Sequence, residues 1–573
     1  MNIPRPEHPT PQFERKSFEN LNGIWEFEID KSASGADREI YKQEHFSREI
    51  LVPFCPESKL SGIGDIDFLN SVWYKRTVDI KETDDLKILH IGASDYLTTL
   101  YVNGVKVGSH QGGYTSFSFD ITDFVNPGEN TIVINAFDDT RDSKHPSGKQ
   151  SATNYYSHSC FYTRVTGIWQ TVWLEYVPQT HIKSVKYYPD AANGKLHIRA
   201  LVCGNAQITA TAYYNGKEVG KASADNNGNN ADLTIDLSEI HLWELGNGRL
   251  YDLELTYGDD VVKSYFGLRN VCIDGYKFML NGKTVFQRTV LDQGYNPDGL
   301  YTAPSEEHMI NDIQISLDAG FNGARLHEKV FEPRFLYHCD RMGYMVWGEY
   351  ANWGVDHSRT DVLATYLREW QEAVDRDFNH PAIIGWCPFN ETWDINGRKQ
   401  DDELIEMVYK TTKLLDTTRP CIDSSGNFHV ATDIFDFHDY IQEVDVFVEQ
   451  MKKLEDEDIL IDQVARNPLY PDRQKFTGGP VFCSEYGGIK WDIERDIDSW
   501  GYGNAPKTEE EFVARYKGLT EALLKNSKML GFCYTQLYDV EQEKNGLYTY
   551  DRKPKFDMKI FKEINSQKAK IEE

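Results

Sequence analysis

Two glutamates close apolar runs in the second half of the chain. The run AIIGWCPFN (382–390) ends at Asn390 and hands over to Glu391, and the run PVFCSEYGG (480–488) carries Glu485 near its end. Two carboxyls opening into one bowl suit hydrolysis of a glycosidic bond. One stays protonated and donates to the leaving oxygen, while the other stays ionised and attacks the anomeric carbon. A retaining mechanism holds them roughly 5–5.5 Å apart. Either glutamate taken singly reads equally well as a polar cap on a strand; the two together favour the chemistry.

The elements that must position them alternate between strand and helix from about residue 269. Candidate strands are TVFQRTV, FNGARLH, YMVWGEY, AIIGWCPFN, CIDSS, DIFDFH, PVFCSEY and LGFCYTQL. Between them lie helical patterns. One starts at Ser305 as N-cap, places Ile310, Ile313 and Leu317 on one face and stops at Gly320. Another runs through Leu363, Tyr366, Leu367, Trp370 and Val374, and His380-Pro381 ends it. Eight apolar strands alternating with helices over about 300 residues predict a (β/α)8 barrel, whose chemistry sits at the C-terminal ends of the strands. The strand count is least defined across 440–480.

Upstream, short alternating strands separated by Asn-Gly, Pro-Gly and Asp-rich turns predict two β-sandwiches. Residues 1–178 read as the larger, a jelly-roll type, with Asn103-Gly104 as a hairpin turn. Residues 179–268 read as an immunoglobulin-like sandwich, and 269–573 as the barrel.

The blocks NHPAIIGWCPFNETW (379–393) and GPVFCSEYGG (479–488) resemble the acid/base and nucleophile blocks of glycoside hydrolase family 2. LNGIWEF, VWYKR, VNGVKVGSHQGGYTSFSFDIT and TGIWQTVWLE resemble its sugar-binding domain, and LGFCYTQLYD and NGLYTYDRKPK resemble its last barrel strand and the segment after that strand. The resemblance covers essentially the whole chain in the family's order. It implies a retaining exo-β-glycosidase with Glu391 as acid/base and Glu485 as nucleophile, a carbohydrate substrate, and dimers or tetramers; the absence of metal-type His/Cys spacing separately predicts no metal or other cofactor. The resemblance further implies that Asn390 binds the sugar 2-hydroxyl, or else caps the following turn. Tyr440, in DFHDY, would hydrogen-bond the nucleophile or stand on the rim; Arg325, in NGARLH, would support the nucleophile or form a structural ion pair. Asp292, Gln293, His327, His438 and Tyr534 are candidates for glycone recognition, with Tyr534 in the place of the family's platform tryptophan. Glu349 reads either as a hydroxyl or metal contact or as a buried ion pair.

The chain departs from the family in its glycone-binding positions. Arg325-Leu326-His327 replaces Arg-Ser-His, and the Asn-x-Lys motif that holds a glucuronide carboxylate is absent, the aligned residues being Glu543-Lys544-Asn545. With Glu541 and Glu543 beside it, that stretch predicts a neutral glycone, a β-galactoside first. An acidic glycone would need another cation: Arg325, Lys329 or Lys149. Other family 2 specificities, among them glucuronide, mannoside and galactofuranoside hydrolysis, and a catalytically silent carbohydrate-binding protein are the alternative readings.

Composition narrows the classes. The 573 residues are 40% hydrophobic and 26% charged, as in soluble globular proteins, and too many for one core. Aromatics reach 13%, which suits sugar stacking and large β-rich cores alike. A net charge of −29 with no basic patch argues against nucleic acid. The opening MNIPRPEHPTPQFERK has no apolar stretch, and no run of membrane-spanning length occurs. Nine scattered cysteines, with Cys387, Cys483 and Cys533 inside apolar strands, predict buried thiols rather than disulfides or metal ligands, and hence a cytoplasmic protein.

Overall fold

The computed structural model describes residues 3–470, 473–494, 496 and 498–573. Met1 and Asn2, at the start of the segment read for a leader, lie outside them. Three bodies succeed one another along the chain. The first is a jelly-roll sandwich of a six-stranded and a four-stranded antiparallel sheet. Alternation in strands such as Leu86–Ile91 turns every second residue inward, so Leu89, Ile91, Trp25, Phe27, Tyr74, Ile132 and Ile134 close its core. Asn103 and Gly104 both have positive φ, 49° and 77°, and join Leu97–Val102 to Val105–Gln111 as a tight hairpin.

The second body packs a three-stranded sheet on a four-stranded one around Ile182, Leu196, Ile198, Leu253 and Leu255, the immunoglobulin-like arrangement. Arg15 pins it to the jelly roll. Its guanidinium, buried at the junction, pairs with Asp260 at 2.8 Å and Glu175 at 3.2 Å. Arg269 then ties the second body to the barrel by donating to the carbonyls of Pro381 and Ile383 at 2.8 and 2.7 Å.

The third body is the (β/α)8 barrel. Its strands are β1 (Gln287–Asp292), β2 (Gly323–Leu326), β3 (Met345–Glu349), β4 (Ile383–Cys387, resuming at Phe389–Asn390), β5 (Ser424–Ser425), β6 (Phe435–Asp439), β7 (Val481–Gly487) and β8 (Met529–Thr535). Strands β6, β7, β8, β1, β2, β3 and β4 pair in parallel in that order, and the resumed β4 pairs in parallel with β5. Thr284 belongs to a small antiparallel sheet before the barrel, so β1 starts at Gln287 rather than in the TVF segment. The fifth strand keeps only two residues of CIDSS.

The helices obey the local signals. Glu306–Asp318 comes directly after Ser305, although the Ser305 hydroxyl meets His308 rather than capping the helix backbone. Leu363–Asp377 buries Tyr366, Trp370, Ala373 and Val374 on one face, and Pro381 stands shortly after its end. Among the described residues of 440–480 one helix forms, Val444–Glu457. No helix among the described residues is long and apolar enough to cross a membrane, and all nine cysteines are free.

Large side chains fill the barrel interior. Trp347 of β3 stacks on Phe482 of β7 at 5.9 Å and donates to Gln287 of β1 at 2.9 Å. It is 1% exposed, and a Trp347→Ala substitution removes an aromatic that close-packed neighbours cannot replace. We expect a loss of about 3–5 kcal/mol in unfolding free energy for the barrel, measured by denaturant titration; a loss near zero would contradict the packing described.

Candidate active site

The bowl at the C-terminal ends of the strands is built around Arg325, the residue of β2 that turns inward. The guanidinium is 2% exposed and spreads over three partners. Nε donates to Glu349 at 2.6 Å, Nη1 to Glu485 at 2.9 Å and Nη2 to the side-chain oxygen of Asn390 at 2.7 Å. Glu349, at the end of β3, therefore has the ion-pair role of its two readings; its other oxygen accepts from the amide of Glu328 at 3.1 Å. One interaction fixes residues from four strands.

Glu485 lies on β7 with both oxygens engaged. Arg325 reaches one, and the Tyr440 hydroxyl, just beyond β6, donates to the other. Tyr440 is itself stacked flat on Tyr502 with ring centroids 3.5 Å apart. Glu391 comes after the resumed β4 at a φ of 47°, a left-handed turn held by its amide bond to the Ser425 carbonyl at 2.9 Å. That turn brings its carboxyl back over the bowl. His438 of β6 joins the two acids: Nδ1 is 2.7 Å from Glu391, and Nε2 is 3.4 Å from Glu485. One oxygen of each glutamate and one nitrogen of His438 all lie within 4.8 Å of one another. Arg325 and Tyr440 fill the remaining directions with donors, so the cluster is a hydrogen-bonded site rather than a cation cage.

Burial raises the Glu391 carboxyl, but the His438 bond and charge, with Lys149 behind them, outweigh it and hold the group at about 2. His438 responds the other way. Burial lowers it, and Glu485 and Glu391 win and raise it. The two titrate as a pair.

Asn390 keeps a side-chain nitrogen buried and unpartnered, aimed by Arg325 on its oxygen and by Asn352 on its backbone at 2.6 and 3.0 Å. A buried amide nitrogen without an acceptor is costly, and the geometry leaves it a donor available to a ligand oxygen. His327 places Nδ1 2.8 Å from Glu349, off the angle of a hydrogen bond, and Nε2 3.9 Å from Glu485. Burial, followed by the Lys149 charge, keeps its imidazole well below the ordinary histidine value.

Three expected positions lie elsewhere. Tyr534 points out of the bowl and packs between Tyr486 and Tyr516 of the surrounding helix, at 5.6 and 4.8 Å, so it is no sugar platform. Strand alternation explains the error, since Thr535 is the β8 residue that faces in, 3.1 Å from the Tyr440 hydroxyl. Asp292 spends one carboxyl oxygen on the Tyr538 hydroxyl and the Gly294 amide, and burial with Asp312 nearby pushes it up to about 6. Gln293 donates to Gln536 at 2.9 Å, the start of a buried polar chain through Asn545 and Glu543 to Tyr162.

Lys149, one of the three cations named from the sequence for an acidic glycone, reaches the site from the jelly roll. Its strands end at Phe137 and resume at Gly167, and the long segment between them lies on the barrel rim. Gly148, at a φ of 56°, presses so close that an added Cβ would come 2.5 Å from the Glu328 carbonyl. Lys149 then enters the bowl, 6% exposed, with its ammonium 3.8 Å above the Trp353 ring. Among the described residues no carboxylate is paired with it within ion-pair distance, although burial, which lowers it, is overcome by Cys160, Glu485, Glu543 and Glu328, which together raise it. Lys329, by contrast, donates to the carbonyls of Gly294 and Tyr301, and Lys544 acts on Asp539 and Asp492. The unusual length of the irregular segment is the one signal in the sequence that marks it as functional.

The three bodies match three family descriptions in order. Residues 63–178 match the glycosyl hydrolases family 2 sugar binding domain, 180–269 glycosyl hydrolases family 2, and 271–490 its TIM barrel domain. The chain belongs to glycoside hydrolase family 2. Among family 2 relatives it is 28% identical over 362 residues to a putative β-glucuronidase of Formosa agariphila, covering 60% of this chain and 42% of that protein. It is 23% identical to a β-galactosidase of Clostridium acetobutylicum, covering 65% of this chain and 46% of the relative. The chain thus spans about half the length of these curated relatives. A solved Ruminococcus gnavus β-glucuronidase shares the fold, with a TM-score of 0.80 at 17% identity, over 99% of each chain.

Arg325→Met leaves Glu349 buried without its cation, a change that typically costs about 3–5 kcal/mol. Stripped of Arg325, Glu349 takes up a proton more readily than in the unfolded chain, so the deficit is full near pH 8 and shrinks as pH falls. Calorimetric midpoints of both proteins from pH 8 to 5 should converge; parallel curves would mean that Arg325 does not compensate Glu349.

Proposed function

We propose that this protein is a retaining exo-β-glycosidase in which Glu485 is the nucleophile and Glu391 the acid/base. The observation that supports the reading is that one oxygen of Glu391 and one of Glu485 lie within 4.8 Å of each other, an approach in keeping with the roughly 5–5.5 Å spacing of a retaining pair. Glu485, oriented by Arg325 and Tyr440, attacks the anomeric carbon while Glu391 protonates the departing oxygen. The free Asn390 nitrogen binds the 2-hydroxyl, a contact that strengthens as charge develops on the ring. Glu391 then deprotonates the water that cleaves the glycosyl-enzyme, with net retention.

The test combines stereochemistry and leaving groups. Proton NMR of the first product should show the β-anomer. Glu485→Ala should abolish turnover, and Glu391→Ala should spare activated aryl glycosides far more than alkyl ones. An α-anomer as first product, or equal losses on both substrate types for Glu391→Ala, overturns the assignments.

For the glycone we propose a β-uronide, a β-glucuronide first, in place of the neutral hexoside read from residues 541–545. Lys149 supports this reading: it is a buried ammonium with no carboxylate paired to it among the described residues and it faces the bowl, the setting that a sugar carboxylate fits. Several relatives are also named β-glucuronidase. β-Galactosides are the second reading, favoured by buried Glu543 close to the same lysine and by relatives named β-galactosidase. Side-by-side kcat/KM for nitrophenyl β-glucuronide and β-galactoside should favour the uronide, and Lys149→Met should cost it about a hundredfold or more, equivalent to at least about 3 kcal/mol, with less effect on the galactoside. A faster galactoside with no selective effect of Lys149→Met returns the glycone to the neutral class.

A further inference from the structure

The contacts of His438 extend beyond holding a side chain in place. We propose that His438 is the positioning residue that shares one proton with Glu391 and releases it in step with the charge on Glu485. This rests on the assignment of the two glutamates above.

The hydrogen bonds fix the proton count. Nδ1 is 2.7 Å from Glu391 Oε1. On the opposite side Nε2 is 3.1 Å from the Ser425 hydroxyl, 3.2 Å from Arg325 Nη1 and 3.4 Å from Glu485 Oε1. Ser425 and Ser484 both give their hydroxyl protons to Asp436, so the Ser425 oxygen is left as an acceptor facing Nε2. The two hydrogens of Arg325 Nη1 are taken by Glu485 Oε1 and the Ser484 carbonyl, so Nε2 carries a hydrogen of its own, and a second lies between Nδ1 and Oε1. That state is an imidazolium beside a carboxylate, or equally an imidazole beside a carboxylic acid. The ring cannot withdraw from it. Gly426, at a φ of 83°, lies against its back, where a Cβ would come 2.3 Å from Nδ1.

The surrounding charges make this proton sensitive to the reaction. Arg325 faces the ring from β2 and His327 from just beyond it, Glu349 from β3, Glu391 beyond β4, Asp436 from β6 itself and Glu485 from β7, while the Lys149 charge reaches Glu391 from the jelly roll. Glu485 is the largest influence favouring the protonated ring, and Arg325 opposes it. In the first step a Glu485 oxygen bonds to the anomeric carbon, the bond to the leaving oxygen breaks, and the pair's proton leaves on that oxygen. Glu485 has become a neutral ester and Arg325 is still a cation, so His438 now disfavours a proton from solvent. Glu391 is left as the free carboxylate that the second step needs as base. Water gives the pair its proton back, its oxygen bonds to the anomeric carbon, and Glu485 leaves as an anion. One proton goes out and one returns.

His438→Gln tests this, because a glutamine amide still donates to Glu391 and holds no titrating proton. With wild-type protein the alkaline limb of kcat/KM should lie above the ordinary histidine value of about 6.5. In the variant it should fall by about one pH unit or more, with roughly tenfold loss at neutrality on a methyl β-glycoside and little on the 2,4-dinitrophenyl analogue. An unmoved limb, or equal losses on both substrates, overturns the proposal. Should the variant fold poorly, wild-type protein labelled with 15N-histidine gives the second test. Trapping with a 2-deoxy-2-fluoro glycoside should convert one imidazolium signal to neutral imidazole, and persistence of every imidazolium signal overturns the proposal. Glu391→Ala with azide separates the two levels of the argument. Formation of the β-glycosyl azide alongside an unmoved His438→Gln limb sinks only the role of His438, whereas absence of the azide product sinks the acid/base assignment on which it stands.

Discussion

A guanidinium sealed inside a barrel is stable only when every direction of its charge is met, and Arg325 meets that condition with Glu349, Glu485 and Asn390 at 2.6, 2.9 and 2.7 Å. The requirement is mutual. Each carboxyl is buried enough that losing the cation would expose it to the full desolvation penalty, so strands β2, β3, β4 and β7 are locked in relative height by one side chain. The spacing of the two glutamates is a consequence of that lock. Tyr440, stacked on Tyr502, and His438, backed by Gly426, complete the ring of contacts from β6 and the loop before it.

The barrel does not finish the site alone. Tyr162 bonds Glu543, Gln542 donates to the carbonyls of Ser159 and Phe161, and Phe161 packs on Trp353 at 5.2 Å, so the jelly-roll segment is seated along one side of the mouth. Arg15 and Arg269 fix the bodies that carry it. Lys149 owes its position to this seating. A flexible ammonium is immobilised over an aromatic face, where its charge acts in a medium of lower dielectric than water. In the proposed function, charge recognition falls to the first body and bond cleavage to the third.

Local pattern carried most of the architecture. Period-two alternation and Asn-Gly or Pro-Gly turns define strands because a pleated backbone sends alternate residues to opposite faces, and the structure has both sandwiches in the order those patterns give. Continuous apolar runs followed by amphipathic helices marked the barrel, and the ends of two such runs placed Glu391 and Glu485. Tyr534 was misplaced for the same kind of reason that the others were found. Strand β8 is apolar on both faces, so periodicity cannot tell which residue turns inward, and only packing against Tyr486 and Tyr516 decides it.

The sequence by itself determined the three bodies and put the two carboxyls at the ends of apolar strands, because local pattern follows from a few residues, whereas Asn390, Arg325 and Tyr440 were named through the resemblance of their short blocks to the family's. Tertiary structure alone decided which cation is unpaired, which ring faces the bowl and how His438 comes to touch both acids. Those facts depend on contacts between residues far apart in the chain, such as the more than one hundred positions from Arg325 to His438 and the jelly-roll loop closing on the barrel rim. Burial sets the charge balance of the site, and burial is a property of the assembled fold, with no trace in the spacing of letters along the chain.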